Sequence, residues 1–300
     1  MSEPTVGFVG LGIMGLPMAK NLLDAGYSVV GHNRSRDPVE NLVEHGGGGA
    51  ESAAEATRRS DVVVTCLPDS DVVETVVRED GGLMDGFAGG ETLIDCSTIS
   101  PTVTEELAAD LAEMGVDMLD APISGGEEGA IEGTLSIMVG GESDVLDANR
   151  GILEAMGGTI THCGPSGAGQ VTKACNQIVV ANAMEAVSEA LVLAGKAGAD
   201  VEAVVEAISG GAAGCWTLEN RAPSMIRGDF DPGFFASYQY KDLRIATSAG
   251  EEFGVPMPIT QVTHDMYKTM EETGMGRDDN SGVMQVVEMM AGEEVRIDEE

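Results

Sequence analysis

Residues 5–16 read Thr-Val-Gly-Phe-Val-Gly-Leu-Gly-Ile-Met-Gly-Leu: a short β-rich run, then glycines at 10, 12 and 15. The stretch that follows, LPMAKNLLDAG, has helical periodicity. A G-x-G-x-x-G spacing between strand and helix is a dinucleotide-binding signature. The first glycine permits a tight turn and the second lets the backbone approach a pyrophosphate. The third lets helix and strand pack closely. The helix N-terminus then aims free N–H groups at the phosphates. Gly10, Leu11, Gly12, Ile13, Met14 and Gly15 are therefore the expected cofactor loop.

Outward from this loop, β-rich runs alternate with helical stretches. Strand candidates are TVGFVG, YSVVGH, DVVVTCL, ETLIDCS, VDMLDAP, TLSIMVG and TITHCG. The helical stretch PTVTEELAADLAEMG has Ser100 or Thr102 as N-cap and Gly115 as stop. This alternation predicts an α/β Rossmann domain with a doubly wound, mostly parallel sheet over residues 1–163. Beyond it strand signals fade. A long apolar-rich helix spans 166–196, and further helical stretches follow, one of them starting at Lys241-Asp242. Residues 164–300 are expected to form an all-α domain for substrate binding and oligomerisation, joined by that long helix and closing in a frayed acidic tail, EEVRIDEE.

The end of the second strand reads Gly31-His32-Asn33-Arg34-Ser35, with no acid until Asp37. Enzymes that use NAD usually place an acid here for the ribose hydroxyls. Arg34 can instead pair with a 2′-phosphate, which favours NADP and keeps NAD possible; Arg34 stacked beside adenine would tolerate both. Asn33, Arg34 and Ser35 join the cofactor set. Leu67, Pro68 and Thr98 follow two later strands, at carboxyl ends where ligands of such sheets sit.

Ser124-Gly125-Gly126 follows another strand and can present successive N–H groups and a hydroxyl to a carboxylate, or be a plain turn. The chain has only five lysines, Lys20, Lys173, Lys196, Lys241 and Lys268. Lys173 lies among apolar residues of the long helix, and Asn176 shares its helical face. A lysine ammonium can stabilise the charge that forms on a carbonyl oxygen during hydride reduction and donate the proton. Lys173 can also snorkel to solvent. Lys241 either reaches cofactor and substrate or forms a surface ion pair.

Bulk composition narrows the classes. Carboxylates outnumber Lys and Arg 51 to 16, for a formal charge of -35, while 43% hydrophobic residues suffice for real cores. That balance argues against nucleic-acid and anionic-membrane partners. Dispersed acids with scarce lysine suit a salt-rich cytosol, where molar salt shrinks the Debye length to about 3 Å. The five cysteines form no C-x-x-C pair, so neither a disulfide framework nor a metal site is expected, and most should be small core residues. No uninterrupted apolar run of membrane-spanning length stands out. A soluble, cytoplasmic protein is the expectation.

Four segments, GFVGLGIMGLPMAKNLL, DAPISGGEEGAIEGTLSIMVGG, GAGQVTKACNQ and KDLRIA, resemble the β-hydroxyacid dehydrogenase family in this order and across nearly the whole chain. The resemblance implies an NAD(P)-dependent enzyme interconverting a small anionic 3-oxo acid and its 3-hydroxy acid, commonly a dimer or tetramer. It implies Lys173 as catalytic lysine, and Ser124, Gly125, Gly126 and Asn176 as substrate ligands. Lys241 would serve both substrate and cofactor. Glu127 and the stretch GGAAGCWTLENRAP look closest to the branch that reduces tartronate semialdehyde (2-hydroxy-3-oxopropionate). The 3-hydroxyisobutyrate reaction, or reduction of succinic semialdehyde or glyoxylate, is the alternative. A cofactor-binding protein without chemistry is the rival class, with no need for the Lys173 constellation.

Overall fold

A computed structural model describes residues 3–297. The chain divides into two compact units, one ending at Lys173 and the other beginning at Ala174.

The first unit holds strands β1 (Thr5–Val9), β2 (Ser28–His32), β3 (Gly48–Gly49), β4 (Val62–Thr65), β5 (Thr92–Asp95), β6 (Asp117–Asp120), β7 (Ile123–Ser124), β8 (Leu135–Gly140) and β9 (Gly157–Gly164). Helices α1 (Gly15–Asp24), α2 (Asp37–Glu44), α3 (Ala53–Arg58), α4 (Ser70–Arg78), α5 (Pro101–Glu113), α6 (Gly126–Glu132) and α7 (Ser143–Met156) connect them. The sheet order is β3-β2-β1-β4-β5-β6-β8-β7, with β9 beside β8. From β3 through β6 every pair is parallel, while β8 runs antiparallel to β6 and β7. This is the doubly wound order expected from the alternation.

Both faces of the sheet are covered, and the period-2 alternation of each strand shows it. Phe8, Val62, Val64 and Ile94 point into one core with Met18, Leu22 and Leu42. Val9, Val63 and Leu93 point into another with Val73, Leu107 and Leu111. The two-residue strands β3 and β7 were not among the candidates, since a pair of glycines and an Ile-Ser pair carry no periodic signal.

Helix α8 (Ala168–Lys196) runs through the division and gives the second unit its central apolar face. Around Ala181, Met184, Leu191 and Val192 pack residues of α9 (Val201–Ser209), α10 (Trp216–Asn220), α11 (Ala222–Arg227), α12 (Ala236–Glu252), α13 (Pro258–Glu272) and α14 (Val283–Ala291). Tyr267 is fully buried there and donates its hydroxyl to the Asn280 carbonyl at 2.9 Å.

Four expectations need correction. Lys241 lies inside α12 rather than at its start, because the helix begins at Ala236 after Phe235. The tail is docked through Ile297: Val295 N–H donates to Glu288 at 2.8 Å, Arg296 pairs with the same carboxylate, and Ile297 N–H donates to Ile226. The remaining three tail residues lie outside the described residues. Of the cysteines only Cys96 is buried; Cys175 is exposed on α8 and the other three are half-buried. Helix α8 is long and apolar enough, by length and composition, to cross a membrane. It serves here as the core helix of the second unit, and Gln170, Lys173, Gln177 and Glu185 interrupt its apolar run.

Candidate functional site

At the first unit's carboxyl edge the strand order reverses between β1 and β4. Such a switch point opens a crevice for ligands. Gly10 sits there with φ +99°, and its N–H donates to His32 O at 3.0 Å. A side chain at Gly10 would run into the Cys66 carbonyl, and one at Gly15 into the Gly10 carbonyl. A side chain at Gly12 would meet nothing within 4 Å. So two glycines let the loop fold tightly on the sheet, and the third faces open space. Helix α1 starts with no side-chain cap and no acidic residue in its first turn. Within the helix Leu16 N–H already donates to the Gly12 carbonyl at 3.0 Å and Pro17 has no N–H, so it is the Gly10–Gly15 loop ahead of the helix that fits a dinucleotide pyrophosphate.

Asn33 ties the loop to the end of β2. Its Oδ1 accepts from Leu11 N–H at 3.1 Å and its Nδ2 donates to Ser35 Oγ at 2.8 Å. Arg34 is exposed and makes no ion pair or hydrogen bond among the described residues, whereas Arg36 pairs with Glu51 at 3.0 Å. An exposed guanidinium thus stands at the end of β2.

Leu67 and the loop containing Thr98 are tied together. Thr65 Oγ1 donates to Asp95 Oδ1 at 2.7 Å, Ser97 N–H donates to the same oxygen, and Leu67 N–H donates to Ser97 Oγ at 2.9 Å. Ser124 closes β7, and the next two residues take φ +141° and +65°, which glycine alone adopts readily. The Ser124 side chain is half-buried with no hydrogen bond among the described residues.

Lys173 is 6% exposed, the one buried lysine of the five, so it does not snorkel out. Three residues earlier Gln170 is buried, and the start of α8 is held by Asp120 at the end of β6. Asp120 accepts from Gly167 N–H at 2.8 Å and from Gln170 N–H at 2.9 Å. Burial pushes the Asp120 carboxyl above the ordinary carboxylate range, and these two amides pull it back only in part.

In the second unit, Asn176 and Lys241 are joined by two side chains that sequence reasoning did not single out. Asn176 Nδ2 donates to Gln177 Oε1 at 2.7 Å, Gln177 Nε2 donates to Asp242 Oδ2 at 2.6 Å, and Lys241 Nζ lies 3.0 Å from Asp242 Oδ1. The Lys241 pair is therefore not a surface one, since Asp242 is buried. Asp95, Ser97, Asp120 and Gln170 were missed as well. Two of them had a signal: an acid closing a strand directly after two apolar residues, as in TLID and DMLD, needs buried donors.

Comparison with known proteins places both units. Residues 5–164 match the family described as the NAD binding domain of 6-phosphogluconate dehydrogenase. Residues 167–287 match the one described as NAD-binding of NADP-dependent 3-hydroxyisobutyrate dehydrogenase. The chain is 41% identical over 287 residues to 2-hydroxy-3-oxopropionate reductase of Escherichia coli, covering 95% of this chain and 98% of that one. It is 37% identical to 2-(hydroxymethyl)glutarate dehydrogenase of Eubacterium barkeri, covering 96% of each. Among solved structures, 3-hydroxyisobutyrate dehydrogenase of Mycobacterium tuberculosis with L-serine superposes with a TM-score of 0.89 at 36% identity, covering 95% of this chain and 99% of that one.

Proposed function

We propose a function from one premise: this chain belongs to the β-hydroxyacid dehydrogenase family and is an NAD(P)-dependent oxidoreductase. Within that family it reduces tartronate semialdehyde to the corresponding hydroxy acid, with NADP as its preferred cofactor. The observation that carries the chemistry is Lys173, the buried lysine on the first turns of α8. The identity to the Escherichia coli relative supports the substrate, and the exposed Arg34 at the end of β2 supports NADP.

A nicotinamide dinucleotide bound there would supply hydride for the reduction. Gly10 to Gly15 would hold its phosphates, with Leu67, Pro68 and Thr98 lining it. Lys173 donates its proton to the carbonyl oxygen as negative charge gathers there, and in the reverse direction the amine takes that proton back. Ser124 with the two glycines holds the substrate carboxylate. Asn176 fixes the substrate's orientation and Lys241 binds cofactor and substrate, both steadied through Gln177 and Asp242.

Charge and surface support a reading of the surroundings as well. A formal charge of -35 repels an anionic substrate and cofactor, so the enzyme works in a salt-rich cytoplasm where that field is screened. The second unit exposes Val179, Leu193, Ile259 and Val262, apolar surface that self-association to a dimer or tetramer would cover.

The deciding assay compares initial rates of NADPH and NADH oxidation across a KCl series up to molar concentration. Tartronate semialdehyde and methylmalonate semialdehyde are run side by side. Faster turnover of tartronate semialdehyde with NADPH, rising with salt, is expected. Preference for methylmalonate semialdehyde would move the enzyme to the 3-hydroxyisobutyrate reaction.

A further inference from the structure

Gln170 is 1% exposed in the first turn of α8, and every polar group of its side chain is spoken for. Its Oε1 accepts from Ile99 N–H at 3.1 Å, and its Nε2 donates to the Ser97 carbonyl at 2.8 Å. Its own N–H donates to Asp120, as described above. The loop it clasps, Ser97-Thr98-Ile99, leads from β5 into α5 and contains Thr98. Through Ser97 Oγ the same loop holds the Leu67 amide. Lys173 follows Gln170 by three residues and shares its face of α8. Nearby, a side chain at Gly169 would run into the Met138 carbonyl, so this turn lies directly on the sheet.

We propose that Gln170 is a positioning residue that fixes Lys173 relative to the loops after β4 and β5. The proton donor and the cofactor-lining backbone are then parts of one rigid piece. The proposal rests on the reading of Lys173 as proton donor. The chemistry of the side chain explains the choice of residue. An amide presents an acceptor and a donor on one planar group, which matches the N–H and C=O it must satisfy two residues apart. A glutamate would set two acceptors against the Ser97 carbonyl. An apolar residue would strand a buried N–H and a buried C=O.

The test is a double-mutant cycle on kcat with Gln170→Met and Lys173→Ala, together with amide hydrogen exchange at Ile99 in the cofactor-free protein. Gln170→Met keeps the volume and removes both hydrogen bonds. It is expected to lower kcat about 10–100-fold, the scale of a misplacement near 1 Å, with the substrate KM little changed and Ile99 exchange accelerated. On the Lys173→Ala background the same substitution is expected to cost at most about twofold more, because residues acting as a unit are not additive.

Equal losses on both backgrounds would overturn the proposal, since Gln170 would then act elsewhere than through Lys173. Wild-type kcat in Gln170→Met, with Lys173→Ala inactive, would overturn it while leaving Lys173 in place. Full turnover in Lys173→Ala would remove the proton-donor reading and this proposal with it, and that variant alone reveals it. Should Gln170→Met not fold, Gln170→Glu takes its place. Its carboxyl can donate to Ser97 only when protonated, so its kcat relative to wild type should rise as the pH falls. A flat ratio would overturn the proposal.

Discussion

Gln177 Nε2 donates to Asp242 Oδ2 across 2.6 Å, and the two residues are 4% and 3% exposed. The other oxygen of the same carboxylate faces Lys241 Nζ at 3.0 Å. One buried acid therefore orients a cation on its own helix and, through Gln177, the Asn176 amide on α8. Asp242→Ala removes that carboxylate from two buried partners at once and is expected to destabilise the protein by about 2–4 kcal/mol. Asp242→Asn, which keeps an acceptor, should cost about half as much. Urea unfolding of the two variants checks it; a loss below about 0.5 kcal/mol for the alanine change would mean the network is loose.

The cofactor loop separates folding from binding at two glycines. A methyl group at position 15 has no room beside the Gly10 carbonyl, whereas at position 12 it enters open space. Gly15→Ala should lower stability by about 1–3 kcal/mol or more. Gly12→Ala should melt within a few degrees of wild type and yet weaken NADPH binding at least about tenfold, because that backbone must meet the pyrophosphate closely. Thermal melts and a fluorescence titration of NADPH distinguish the two. Equal NADPH affinity in Gly12→Ala and wild type would mean the phosphates lie elsewhere.

Arg34 is the residue on which the cofactor preference turns. It is exposed and pairs with none of the described residues, while its neighbour Arg36 is occupied by Glu51. A charge-assisted contact to a 2′-phosphate is worth roughly 1.5–3 kcal/mol, so Arg34→Ala should raise KM for NADPH about 10–100-fold. KM for NADH should hardly move. Steady-state kinetics with both cofactors is the check, and parallel changes in the two would show that Arg34 stacks rather than pairs.

Much of this architecture was legible because local and global signals agreed. The strand–glycine–helix sequence at residues 5–24 and the fading of strand patterns after TITHCG carried the fold without tertiary information. Lys173 stood out by scarcity and by its apolar neighbours. The supporting polar residues were harder to see. Gln170, Gln177 and Asp242 have partners 71, 65 and 65 residues away, so their roles arise only when distant segments meet. Asn33, expected beside the cofactor, also holds Leu11 within the loop, a bond that only the folded turn brings about. The sequence leaves Lys241 between cofactor and substrate binding and a surface ion pair; that its partner Asp242 is buried follows only from the folded chain.

Glu185, in the core of the second unit, sets an expected pH dependence of stability. Its Oε2 has no hydrogen-bond partner among the described residues, and burial, with Glu189 nearby, pushes its pKa from 4.5 up to about 7. The fully buried Tyr267 hydroxyl feels the same carboxylate. A carboxyl raised in the folded state binds its proton more tightly than in the unfolded chain. The destabilisation is therefore full above about pH 7, fades as pH falls from about 7 toward 4.5, and is absent below that. The gap is worth on the order of 3 kcal/mol at most. Glu185→Gln should thus raise stability at pH 8, match wild type near pH 5, and flatten the slope between. Urea unfolding of both proteins at pH 5, 6, 7 and 8 in constant salt measures it. A variant less stable than wild type at pH 8 would show that the ionised carboxylate makes a favourable contact there.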